Sequence, residues 1–114
     1  MSFWRKEIID AALDHETLRH VKEQRAWIAR EPHNAAPYHN LAQLYRTQGR
    51  QEEALGLLLE AVRLDSESAS AHRALAEIYA VRGDMRAAWN HARAAERSGD
   101  RRAMDLLERY GVAE

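Results

Sequence analysis

The sequence predicts an all-α fold: an α-solenoid of three stacked helix–turn–helix units closed by a C-terminal capping helix. Three observations predict it. Two stretches share one skeleton: Leu41, Tyr45, Gly49, Ala54, Ala61 and Arg63 recur as Leu75, Tyr79, Gly83, Ala88, Ala95 and Arg97, always 34 residues later. Apolar residues fall at helical spacing rather than in strand alternation, as in Leu41, Leu44, Tyr45 and again in Leu75, Ile78, Tyr79. The composition leans on Ala, Leu, Arg and Glu, all strong helix formers, with only 5 Gly and 2 Pro to interrupt them.

Each element follows from local chemistry. Asn34 is suited to cap a helix that tolerates Pro37 in its first turn. Gly49 stands where that helix must stop and the chain turn, because glycine accepts positive φ at little cost. Leu55, Leu58, Ala61 and Val62 make the stripe of the next helix. Gly83 and Asp84 repeat the turn and cap one period on. Alanine at 54, 61, 88 and 95 lets two antiparallel helices approach closely. One such pair cannot bury its apolar faces alone, whereas stacked pairs bury them in one continuous core.

These residues resemble the tetratricopeptide repeat (TPR) family. The family's motif of large aromatic, leucine, small residue, tyrosine, alanine and a later aromatic or apolar position reads Tyr38, Leu41, Ala42, Tyr45, Ala54 and Leu58 in one unit. It reads His72, Leu75, Ala76, Tyr79, Ala88 and Ala92 in the next, with Ser66 and Asp100 where the family has proline. The resemblance implies a single domain over 1–114, with repeats at 35–68 and 69–102. It implies a degenerate first repeat at 1–34, where Trp4 and Pro32 hold motif positions but Glu7, Ile8, Ala11 and His20 depart from it. Helices are expected there near 3–13 and 15–30. A capping helix is expected at 103–111, with Met104, Leu107 and Tyr110 on its covering face.

Composition narrows the function classes. A length of 114 residues fits one domain, and a formal net charge of −1 gives no reason to expect nucleic acid or an anionic membrane as partner. Without cysteine there is no disulfide, thiol catalysis or cysteine-ligated metal. No apolar run is long enough to span a membrane, and the charged opening segment is unlike a secretion signal. A cytoplasmic protein is expected, and a bacterial one from arginine outnumbering lysine fifteen to two.

No constellation calls for catalysis, a cofactor or a metal. The six histidines show neither H-x-x-x-H nor E-x-x-H spacing, so they read as surface or packing residues. Ser, His and Asp are present without a motif that gathers them, and no glycine-rich phosphate loop exists. Trp4, Trp27 and Trp89 are expected to fill gaps between helices, and Arg86, Arg93 and Arg97 to line a solvated convex face. Leu59 falls on that convex side and, with Val62 or Phe3, offers a contact for self-association.

The resemblance implies a concave groove, lined by the first helix of each unit, that binds a peptide or helix of another protein. Arg5, His39 and Arg73 occupy one row of it and Ile9, Gln43 and Glu77 a second. Asn40 and Arg46 complete the expected partner-binding set. A full carboxylate clamp of the kind some chaperone-binding TPR domains carry is not expected, since Ile9, Ser70 and Ala74 hold clamp positions without the needed donors. The arginines nevertheless favour an acidic ligand. An unperturbed His39 would add charge below roughly pH 6.5. The function expected is therefore a non-catalytic protein-interaction scaffold, with a self-assembling module as the alternative.

Overall fold

A computed structural model describes residues 2–110 and 113, the side chains of 2–4 and 10 excepted. Among the described residues there are α1 (Ser2–Arg30), α2 (Ala35–Thr47), α3 (Gln51–Leu64), α4 (Ala69–Arg82), α5 (Met85–Arg97) and α6 (Arg102–Arg109), and no strand. Each helix packs on the next in sequence, and α6 also reaches α4. This is the expected all-α solenoid.

The backbone repeats its hydrogen bonds with the sequence period. At the tight turns, Arg50 N–H donates to the Tyr45 carbonyl at 2.8 Å, and Asp84 N–H to the Tyr79 carbonyl at 2.9 Å. Between units, Asn34 N–H donates to the Glu31 carbonyl at 3.1 Å, and Ser68 N–H to the Asp65 carbonyl at 3.2 Å. Gly49 (φ 76) and Gly83 (φ 85) take the left-handed conformation that ends α2 and α4. Asn34 accepts from Ala36 N–H, Ser68 from Ala71 N–H and Asp84 from Ala87 N–H, so three helix starts carry side-chain caps. Pro37 is buried in the first turn of α2, where a missing N–H costs nothing.

The expected alanines hold the helix contacts: Ala54, Ala61, Ala88 and Ala95 are all buried. Leu41, Tyr45, Leu58, Leu75 and Ile78 join α2, α3 and α4 in one core cluster. A second cluster gathers Ala76, Ala88, Trp89, Ala92, Ala103 and Leu107 at the α6 end. Trp89 thus packs between helices, with the Arg93 guanidinium 5.9 Å from its ring centroid.

Two sequence expectations are corrected. The helices expected near 3–13 and 15–30 are one continuous helix, α1, 29 residues long. One period before Gly49 stands His15, and nothing in "LDHETLR" needs a left-handed residue or stops a helix. Of the side chains named there, Phe3 and Trp4 lie outside those described. At the other end α6 stops at Arg109, and Tyr110, its C-cap residue, is 71% exposed instead of joining the covering face. Ala103 and Leu107, with Met104 partly buried beside them, do the covering.

Candidate functional site

One polar strip runs across the array from α2 through α4 to the α5–α6 turn. His39 Nε2 lies 3.3 Å from Gln43 Nε2, and Arg46 donates to Gln43 Oε1 at 3.4 Å. Arg46 then reaches across to Glu77 on α4 at 3.5 Å. Arg73, one turn before Glu77, holds the same carboxylate at 2.9 Å and meets Asp100 at 3.2 Å. Arg102 closes the strip on Asp100 at 2.8 Å. All these residues except Arg102 are half-buried, so their charges are less screened than surface pairs. Beside the strip, the first turns of α2 and α4 flank a cavity of ≈ 600 Å³ lined by His33, His39, Asn40, Leu64 and Ser70, among others.

Residues 42–83 match a family described as TPR repeat, and residues 25–56 one described as tetratricopeptide repeat. The chain is a tetratricopeptide repeat protein. No curated protein matches it. TPR repeats generally mediate protein–protein interaction. No described helix of this TPR array is long and apolar enough to cross a membrane.

The structure brings together only part of the expected set. His39, Gln43, Arg46, Arg73 and Glu77 share the strip. Asn40 stands beside it, its amide donating to Gln24 on α1 at 3.2 Å. Arg5 and Ile9 do not join them. Nineteen residues of continuous helix separate Arg5 from Gln24, about 28 Å at 1.5 Å per residue, so α1 carries both away from α2. Ala74, which holds one of the clamp positions, is fully buried in the core. Val81 is 84% exposed.

Electrostatics also differ from the sequence expectation. Glu77 and Asp100 already occupy the arginine forks, leaving three arginines against two carboxylates along the strip. Hydrogen bonds from Arg102, ahead of the charges of Arg102 and Arg73, hold the Asp100 carboxyl down at about 2. His39 sits below its ordinary value, through burial first and then the charge of Arg73. It therefore takes up its proton at a lower pH than an unperturbed histidine would.

A second polar pair was not foreseen. His72 Nε2 lies 2.9 Å from the Ser66 carbonyl, which requires a proton there. Its Nδ1 then accepts from His91 Nδ1–H at 3.0 Å. Tyr79 stacks on His91 with ring centroids 5.6 Å apart. One period earlier these two places hold Tyr38 and Leu57, which border one cavity together, so the repeat alignment contained the signal. Burial, then the neighbouring His72, lowers the pKa of His91.

The fold thus favours neutral His39 and His91. Unfolded chains protonate them near pH 6.5, so the unfolded state binds more protons below that pH and stability falls as pH falls. Melting temperature is expected to decline from pH 7.5 to pH 5, before Asp100 begins to protonate. Replacing His91 by Phe should flatten part of that slope. An unchanged slope would mean that His91 does not contribute to it.

Proposed function

We propose that this TPR array is a non-catalytic scaffold whose groove strip receives an acidic peptide or helical segment of another protein. One observation carries the reading: Glu77 lies within reach of both Arg46 and Arg73, on neighbouring units. An incoming Asp, Glu or C-terminal carboxylate finds the same two guanidinium groups, and arginine's planar fork suits two-pronged contact. The strip's excess of arginine over carboxylate supports an anionic partner. The cavity beside His39 and Asn40 supports room for the residues flanking that carboxylate.

Peptide display against the purified chain tests the proposal. Selected sequences are expected to be rich in Asp or Glu. Half-exposed pairs contribute about 0–1 kcal/mol each, so Arg46→Ala and Arg73→Ala should each weaken binding up to about fivefold. Glu77→Gln should tighten it, because it removes the internal competitor. Added salt should weaken binding in the parent more than in the arginine variants. Selected peptides without acidic residues, or unchanged affinity in both folded arginine variants at low and high salt, would overturn the proposal.

A further inference from the structure

The described side chains in the first half of α1, those of residues 5–9 and 11–16, are all exposed. The bonds from Gln24 to Asn40 and from Arg25 to Tyr45 place the α1–α2 contact on the C-terminal half of α1. Among the described residues, Val21 is the only one of α1 buried in the core cluster, with Ile28 packed partly against it. Residues 2–16 therefore extend past α2 as a helical arm about 22 Å long. On it Ile9 and Leu13 are each 56% exposed.

The arm carries an ordered seam. Lys6, Ile9, Leu13, Glu16 and His20 recur at alternating intervals of three and four, the spacing that keeps side chains on one face of a two-helix coil. Read backwards the seam complements itself. With Ile9 set opposite Leu13 of an antiparallel twin, Leu13 meets Ile9 in return, and Lys6 falls opposite Glu16 on both sides. A two-fold contact has this property: residue i meets j and j meets i. The seam is also continuous with the established α1–α2 interface, since half-buried His20 adjoins buried Val21.

We propose that two copies of this chain pair through their α1 arms, antiparallel, burying an Ile9–Leu13 quartet flanked by two Lys6–Glu16 pairs. The contact uses residues remote from the groove strip, so it joins two TPR arrays without closing either groove. Two heptads of seam make a small interface, and the dimer therefore builds up with protein concentration.

Sedimentation velocity over a concentration series of the whole chain tests this. A monomer–dimer equilibrium is expected, abolished by Leu13→Asp. Lys6→Glu alone and Glu16→Lys alone place like charges opposite each other and should each raise the dimer dissociation constant by about tenfold or more. The double variant should return it to within about threefold of the parent. Ile8→Ser, about a third of a turn off the seam, should leave it unchanged. A monomer at every concentration, a dimer indifferent to the single charge reversals, or no rescue in the double variant would overturn the proposal. These substitutions spare the groove strip, so peptide binding reports on the groove independently.

Discussion

Ala88→Trp is expected to unfold the array. Ala88 has no exposed surface and sits between Ala92, Trp89 and the neighbouring helix α4, where Ala76 belongs to the same cluster. Inserting even single methylenes into a packed core typically costs about 1–3 kcal/mol, and an indole far exceeds a methylene. A domain of this size is stable by roughly 5–15 kcal/mol in all, so the loss is a large share of the total. Ala54→Trp, at the equivalent place one unit earlier and equally buried, should behave alike. Arg86, exposed on the first turn of α5, is the control: Arg86→Ala should change stability by no more than about 0.5 kcal/mol. Urea titrations check this. Small and equal losses in all three variants would mean that the alanines do not mark the helix–helix contacts.

Leu75→Ala is the second large effect. Leu75 is fully buried on α4, in a cluster that includes Leu41 and Tyr45 from α2 and Leu58 from α3. Its side chain therefore joins successive units and not merely the two helices of one. Truncation loses about 2–5 kcal/mol, through both the lost transfer energy and the cavity left behind. In an array held by nearest-neighbour interfaces, that loss falls on the coupling between units. Thermal melting should drop by more than about 10 °C and become less cooperative. Leu59→Ala, at a site 40% exposed on the outer face of α3, should shift it by only a few degrees. A sharp, little-shifted transition in Leu75→Ala would show that the units are coupled elsewhere.

The repeat was legible because its signals are local. Glycine at 49 and 83, alanine at 54 and 88 and tyrosine at 45 and 79 each state a backbone or packing requirement that needs no knowledge of distant chain. The first unit was misread for the same reason. Trp4 and Pro32 hold motif positions, but the stop signal between them is missing, and a helix without a stop continues through His15. The groove was half legible. The family resemblance placed His39, Gln43, Arg73 and Glu77 on the first helix of each unit. It could not show that Arg46 reaches Glu77 thirty-one residues away, or that Asp100 turns back onto Arg73, because both depend on how the units tilt together. The histidine pair is not legible from either ring alone, because its chemistry lies in the proton the two share across a contact nineteen residues apart in sequence.

The junctions between units carry a further meaning. Glu31 to Asn34 and Asp65 to Ser68 close the same backbone bond, and the capping side chain of each next helix comes from that junction. Each junction thus closes its own turn and caps the next helix from within a few residues. At the third junction the rule changes: Gly99 adopts φ 100, and the short α6 follows. Length in this architecture is therefore quantised. A whole 34-residue block duplicated at Ser68 meets chemically familiar neighbours on both sides, while an insertion of any other size breaks a cap and misaligns the alanines. Evolution and engineering alike are left with one inexpensive way to lengthen the molecule: whole 34-residue units, added before Gly99.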